Sequence, residues 1–440
     1  MNISIAGTGY VGLVTGVVLA NLGHNITCVD IDSNKIEMLK KGICPIFEPG
    51  LTELMLKNSS RLTFTTNYVD AYEHADAIFI AVGTPEKVDG SANLSYVYAV
   101  ARQIAEIAKQ DCVVVVKSTV PIGTNDKIEQ FIKKYLKHDI SIDVVSNPEF
   151  LSQGTAVKDM LYGSRIVIGT ENKKARMIME EIYTGMNQPI VFTNRRSAEM
   201  IKYASNNFLA LKISYINEIA NLCEILGADV EDVARGMGMD PRIGDKFLKA
   251  GIGYGGSCFP KDTKALHWLG NYHDHEMKTI KAAIEVNENQ KLRLIKKARK
   301  YYDTFEGLTV AVLGLTFKPG TDDLREAPSL TIVPILLDDG ATVKAYDPYG
   351  INRFKQKING DIISCETPEE ALKDADICFI LTEWPEIVEL EPEAFLTMRR
   401  PIIMDGRNCY RLEAMEGHDL IYESIGRKTA GKGKTILTDN

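Results

Sequence analysis

The segment from Ile3 to Asp30 constrains the fold more than any other part of the chain. Ile3 to Ala6 is a short apolar run of buried-strand type, and Gly7-Thr8-Gly9-Tyr10-Val11-Gly12 follows it. An apolar helical pattern then runs from Val11 to Leu22 and stops at Gly23, and a second strand, Asn25 to Val29, ends at Asp30. Strand, glycine turn, helix, strand and acid in this order predict a parallel βαβ unit that receives a dinucleotide. Gly7 permits the turn, Gly9 lets a pyrophosphate approach the helix N-terminus, and Gly12 lets helix and sheet pack closely. Asp30 would accept hydrogen bonds from a ribose diol and repel a 2′-phosphate, so NAD is expected rather than NADP. The competing reading of the same letters is a glycine-rich packing turn.

More strands of this kind follow. After a helix over Lys35 to Lys41 and a loop with two prolines, Gly42 to Gly50, the runs Asp76–Val82, Cys112–Val116 and Ile142–Val145 read as buried strands. They end in Gly83-Thr84-Pro85, Lys117-Ser118-Thr119-Val120-Pro121 and Ser146-Asn147-Pro148-Glu149-Phe150. Open α/β sheets bind ligands at this carboxyl edge. Glu149 there reads either as an acid/base group or as a surface ion-pair partner. The pattern returns later: Leu308 to Leu313 is a strand, Ser329 to Leu337 a helix, and a strand runs up to Asp347. Ala75-Asp76-Ala77-Ile78-Phe79-Ile80 is echoed by Ala375-Asp376-Ile377-Cys378-Phe379-Ile380. The expected fold is therefore α/β, with two Rossmann-like parallel-sheet domains joined by a long central helix. The turn after Leu313 lacks GxGxxG, so a second dinucleotide is not expected there. Lys318, Arg325 and Arg407, the last following an Ile402–Met404 strand, suit the diphosphate of another ligand, or else are scattered surface charge.

Between the sheets Ser197 reads as an N-cap with Glu199 in the first turn, and apolar residues recur at helical spacing to Leu226, before Gly227. A helix over 197–226 would be about 45 Å long and apolar on more than one face, which suits a domain spine that also meets a second copy of the chain. Lys202 and Asn206 are four residues apart and share a face of it. A turn at Asp240-Pro241-Arg242 presents Arg242, and Ile284 to Tyr301 reads as one helix with a basic tail. The most unusual stretch is Gly251-Ile252-Gly253-Tyr254-Gly255-Gly256-Ser257-Cys258-Phe259-Pro260-Lys261-Asp262. Glycines let backbone pass where a Cβ would clash, and a thiol, a cation and a carboxylate follow closely. That combination suits a cysteine nucleophile; the plain alternative is a tight turn around a packed cysteine. The resulting division is 1–196 for the dinucleotide, 197–300 for the central helix and cysteine loop, 301–420 for the second ligand, and a disordered tail over 421–440.

At 440 residues the chain exceeds a single core, and its net charge of −8 argues against a general nucleic-acid surface. No apolar run approaches the length of a membrane span, and no basic, apolar leader precedes the first strand, so a cytoplasmic protein is expected. The eight cysteines are scattered without a CxxC pair, and the seven histidines do not add to them, so reduced thiols are expected and no metal.

Gly7 to Gly12, Lys117 to Pro121, Asn147-Pro148-Glu149-Phe150-Leu151, the run Ala198 to Asn206, and Gly255 to Asp262 together resemble the UDP-glucose 6-dehydrogenases, a branch of the nucleotide-sugar dehydrogenases. The resemblance runs from residue 1 to about 410. It implies oxidation of the sugar C6 alcohol twice, with two NAD per cycle and one water, giving the uronate. It places Cys258 as nucleophile, Lys202 and Asn206 at the developing oxyanion, Asp262 and Thr119 at a water, and Glu149 as acid/base. On the cofactor side it implies Gly7, Gly9, Tyr10, Val11, Gly12, Asp30, Lys35, Thr84, Pro85, Thr119, Lys261 and Arg325. On the substrate side it implies Glu149, Phe150, Leu151, Lys202, Asn206, Phe247, Tyr254, Gly255, Lys318 and Arg407, with Arg242 reaching the neighbouring subunit of a homodimer. Many relatives have a glutamate where this chain has Gln153, which cannot take a proton. GDP-mannose or a UDP-N-acetylhexosamine would use the same machinery. A nucleotide sensor without chemistry would not need Cys258, Lys261 and Asp262 together.

Overall fold

The computed structural model describes residues 1–433. Compactness divides it into two units, one of 1–205 with 268–274 and one of 206–267 with 275 onward. The boundary falls within a single helix, Arg195–Leu226.

In the first unit the strands are Asn2–Ala6 (β1), Asn25–Val29 (β2), Leu62–Thr65 (β3), Ala77–Ile80 (β4), Cys112–Val116 (β5), Ile142–Ser146 (β6), Ile166–Gly169 (β7) and Ile190–Thr193 (β8). They form one sheet in the order β3-β2-β1-β4-β5-β6-β7-β8. β1 to β6 are parallel, and the continuous apolar runs of the central strands β4 and β5 are buried on both faces, as helices covering both faces require. The sheet is not wholly parallel: β6 meets β7 antiparallel, at Ser146 and Gly169, and β8 then runs parallel to β7. The reversal of strand order between β1 and β4 places the carboxyl ends of β1, β2, β4 and β5 around one switch point.

The second unit repeats the plan with Thr309–Leu313 (β9), Thr342–Tyr346 (β10), Ile363–Ser364 (β11), Ile377–Ile380 (β12), Ile402–Asp405 (β13) and Ile421–Glu423 (β14), all parallel in the order β11-β10-β9-β12-β13-β14. The echo is chemical as well. Asp30 follows β2 and Asp347 follows β10, and each accepts the backbone amide and hydroxyl of a turn threonine, Thr8 or Thr316. Asp347, however, also takes Leu315 N, Tyr349 N, Gly350 N and the Trp384 indole, and is buried. Its oxygens are taken up by more donors of its own chain than those of Asp30 are.

Three local expectations change. The long helix starts at Arg195, and its cap is the Asn194 side chain, which accepts Ser197 N at 2.8 Å; Ser197 is not the cap, because the asparagine lies at the position from which a side chain reaches the third amide. The helix expected over Ile284–Tyr301 is two, Lys278–Gln290 and Arg293–Ala298, broken where buried Lys291 turns its ammonium to Glu288 and Glu326. The stretch from 421 is not disordered through residue 433. Ile421–Glu423 completes the second sheet, and buried Arg427 bonds Ser424 Oγ, Tyr410 O and the Tyr422 hydroxyl. Residues 434–440 of the expected tail lie outside the described residues.

Candidate active site

In the first unit, the turn after β1 leads into the helix Tyr10–Asn21. A Cβ on Gly12 would come within 1.9 Å of Gly7 O, so only glycine lets helix and turn meet. A Cβ on Gly9 would meet nothing within 4 Å: the backbone at the helix N-terminus faces open space, the cradle a pyrophosphate needs. Asp30 is half-buried, with Oδ2 on Thr8 N and Oγ1 and Oδ1 on Asp32 N at 3.0 Å. Burial alone would raise its pKa, but the Thr8 and Asp32 bonds and the Lys35 charge outweigh it and hold the carboxyl below its ordinary value. Tyr10 bonds Phe47 O, Val11 is half-buried, and exposed Pro85 follows buried Thr84. The Thr84 hydroxyl donates to Thr119 O at 2.9 Å. The residues present therefore fit a dinucleotide, with Asp30 able to receive its ribose.

At the end of β6, Glu149 Oε1 receives Lys202 Nζ at 2.9 Å, and Glu149 Oε2 receives Leu151 N at 2.5 Å. The alternative reading of Glu149 as a surface ion-pair partner is excluded by its burial. Phe150 lies under the Arg165 guanidinium, 3.7 Å from ring centroid to Cζ. Lys117 and Asn147, quoted as motif letters without a role, prove to be buried neighbours: Lys117 Nζ donates to Asn147 Oδ1 at 3.2 Å, and so does the Tyr183 hydroxyl. Beside Gln153, the amides of Gly154 and Ala156 donate to buried Glu48. The Gly42–Gly50 loop thus supplies a carboxylate that the sequence reading missed; it serves as a cap.

In the second unit the cysteine loop is gripped by amide side chains. Asn217 Oδ1 accepts Gly251 N at 2.8 Å, and Gln290 Nε2 donates to Gly251 O at 2.8 Å. Asn287 accepts Tyr254 N at 2.8 Å and donates to Tyr254 O at 3.1 Å. The signal for this grip was the amide pair Asn287 and Gln290, three residues apart on one helix face. A Cβ on Gly255 would sit 2.4 Å from Glu326 O, and Gly256 has φ +82°, so the loop threads a space only glycine fits. Cys258 is half-buried and immediately precedes the helix Phe259–Tyr272, its carbonyl accepting Asp262 N at 2.8 Å. First-turn amides at a helix N-terminus favour a thiolate there. Elsewhere burial pushes the thiols up, Cys28 and Cys112 each to about 12. No cysteine among the described residues is in a disulfide.

Asp262 is 1 % exposed, with Oδ1 on Lys261 Nζ at 2.6 Å and Oδ2 on Asn206 Nδ2 at 2.7 Å. Lys261 therefore neutralises the aspartate next to it. A cavity of about 240 Å³ is lined by Phe247, Lys249, Tyr254, Phe317, Lys318 and Arg407, among others. Phe259 packs edge-on against both Tyr254 and Phe247 beneath it. The Arg407 guanidinium donates to Leu381 O, Gly253 O and Phe317 O, fixing three loops with one cation. Lys249 is a lining cation to which the sequence reading gave no role. Arg325 forks onto Asp323 and Arg242 onto Asp240, and the Arg242 side chain is 88 % exposed. Among the described residues no cluster of ligands could hold a metal, and no helix is long and apolar enough to cross a membrane.

Known proteins match this chain throughout. Residues 1–187 match the NAD binding domain of the UDP-glucose/GDP-mannose dehydrogenase family, 196–289 its central domain, and 311–412 its UDP binding domain. A UDP-glucose 6-dehydrogenase of Bacillus subtilis is 52 % identical over 97 % of this chain and 98 % of its own, and a second from the same organism is 48 % identical over 97 % and 93 %. Among solved structures, a UDP-glucose dehydrogenase from Pyrobaculum islandicum is similar at a TM-score of 0.91 and 36 % identity, covering 97 % of this chain and 98 % of that one. A UDP-D-ManNAc dehydrogenase from Pyrococcus horikoshii is similar at 0.85 and 29 % identity, covering 97 % and 99 %.

Proposed function

The chain belongs to the UDP-glucose/GDP-mannose dehydrogenase family and is an NAD-dependent enzyme that oxidises the C6 alcohol of a nucleotide sugar, and from that premise we propose that its substrate is UDP-glucose and its product UDP-glucuronate. Two relatives, 52 % and 48 % identical to this chain, carry that substrate in their names. The observation that carries the four-electron reading is the cysteine loop. Cys258 stands at the start of a helix, one turn before a buried Asp262 that holds the Asn206 amide.

Bound NAD supplies hydride acceptance, twice per sugar. The chain's own residues do the rest. Glu149 holds the proton given up by the alcohol, with Lys202 beside it to stabilise the oxyanion that forms, and Asn206 Nδ2 supplies a second donor. The Cys258 thiolate adds to the aldehyde carbon, giving a thiohemiacetal that can lose a second hydride and become a thioester. Asp262 and Thr119 then place the water that cleaves it. Lys318, Arg407 and Lys249 receive the diphosphate and base end, with Phe247, Tyr254 and Gly255 lining the sugar side and Phe150 and Leu151 fixed next to Glu149. Lys261 and Arg325 are assigned to the cofactor. The functional division follows as 1–196, 197–300 and 301–420.

We also assign the enzyme to a homodimer built on the long helix, where Phe208, Tyr215 and Leu222 recur every seven residues at 61 %, 48 % and 48 % exposure. Exposed Arg242 would reach the partner's substrate. The free thiols favour a reducing compartment, the cytoplasm. The deciding experiment counts NADH against purified UDP-glucose, GDP-mannose and UDP-N-acetylhexosamines. Two NADH per UDP-glucose with much higher kcat/KM than the others is expected; a ratio of one, or preference for another sugar, would overturn the assignment.

A further inference from the structure

The loop after β5 carries Thr119, and within the first unit it is held at three points. At its start the Ser118 hydroxyl donates to Val82 O at 2.7 Å, and in its middle Thr84 holds Thr119 O. At its end Glu199 receives Gly123 N at 2.5 Å, Asn125 N at 2.8 Å and Asn125 Nδ2 at 2.6 Å. Thr119 itself is half-buried between buried Ser118 and Val120, so loop conformation decides where its hydroxyl lies.

Glu199 is 2 % exposed, and burial raises its pKa in spite of the Asn125 and Gly123 donors. A buried carboxylate is an expensive cap for the helix Thr124–Tyr135, since an ordinary exposed Ser or Asp would serve. Nor is it needed to dock that helix, because Arg195 and Arg196 already pair with Asp126. Asn125 bears a mark of the same constraint: its Oδ1 is buried without a hydrogen-bond partner among the described residues, so its amide is oriented for the Glu199 bond alone. Glu199 also lies three residues before Lys202 on the same helix face.

We propose that Glu199 is a positioning residue for the water step, setting through Gly123 and Asn125 the loop that places Thr119. This rests on the water-placing role given to Thr119 above. In that step the water oxygen bonds to the acyl carbon on Cys258 and the carbon–sulfur bond breaks with the electron pair on sulfur. One water proton ends on the thiol, the other goes to solvent, and the product leaves as carboxylate. No electrons are exchanged, so both NADH must already have formed.

The test is Glu199→Gln, with Asp126→Asn as the docking control. In Glu199→Gln both NADH of the first turnover should form within about twofold of the wild-type rates, while steady-state kcat falls about tenfold or more. Acid-quenched protein should then carry the uronyl adduct on Cys258 by intact mass. Asp126→Asn should lower Tm without accumulating adduct. Asn125→Ala should shift the same ratio of steady state to burst in the same direction, and decides the matter if Glu199→Gln does not fold. Equal slowing of the first NADH and of turnover, or unchanged turnover, would overturn the inference. A wild-type yield of one NADH per sugar would instead contradict the proposed function itself.

Discussion

Lys202 Nζ lies 2.9 Å from Glu149 Oε1, and the two side chains are only 3 % and 5 % exposed. The pair joins the end of β6 to the long helix. Two charges so placed have lost most of their hydration, and each compensates the other, with the Leu151 amide also donating to Glu149. Removing one partner strands the other. Glu149→Ala and Lys202→Met should each destabilise by about 3–5 kcal/mol, and the double variant by much less than their sum. Urea unfolding of the four proteins measures this; additive losses would show that the charges do not support one another. In activity, Glu149→Gln should lower kcat far more than Gln153→Ala, and the reverse order would reassign the acid/base.

Lys117 gives a pH prediction. Burial pushes its pKa down to about 8, with Glu149 pulling it up and Lys202 pushing it further down. Since the folded value lies below the unfolded one, the unfolded chain binds more protons between about pH 8 and about pH 10, and stability rises with pH across that window. Below it, the penalty of holding the charge is fully present. Lys117→Met should therefore be more stable than wild type at pH 7 and lose that advantage between about pH 8 and about pH 10. Parallel curves for the two proteins would show that Lys117 titrates normally.

Asp30 both anchors Thr8 and, in the reading above, receives the ribose diol. Asp30→Asn keeps an acceptor for Thr8 and removes the charge that repels a 2′-phosphate. The ratio of kcat/KM for NADP to that for NAD should rise by about tenfold or more, mostly through KM. An unchanged ratio would place cofactor choice elsewhere.

Cys258→Ala should bind NAD as wild type does, because Gly9 and Asp30 lie in the first unit and Cys258 in the second, and should fail to produce the uronate. Near wild-type turnover with two NADH per sugar would show that Cys258 only packs. Cys258→Ser should stall as an ester, because an alkoxide leaves far more slowly than a thiolate, and intact mass after acid quench would detect it.

Side-chain grip is where local reading failed. Asn217, Asn287 and Gln290 hold the cysteine loop through bonds that span 33 to 39 residues of sequence, so no short window of adjacent letters contains both the loop and its clamps. Glu48 and Glu199 were missed as caps for the same reason, each serving amides far along the chain. Residue 421 onward misled because its glycines and lysines read as a solvated tail, while Tyr422 and Arg427 make bonds that exist only once β13 is in place.

The letters alone determined the two βαβ sheets, the strand ends at Asp30, Val116 and Asp347, the nucleotide-binding turn, and the chemical identity of Cys258, Lys202, Asn206 and Asp262 as candidates. The sheets and the glycine turn follow from hydrophobic period and glycine placement, which act within a few residues, whereas Lys202 and Asn206 stand as candidates through the family resemblance. Tertiary structure alone decided that Glu149 is a buried partner of Lys202, that Lys261 neutralises Asp262, and that the oxygens of Asp347 are taken up by donors of its own chain. Charge state and hydrogen-bond capacity depend on burial and on partners brought together by folding, and neither is set by sequence neighbours.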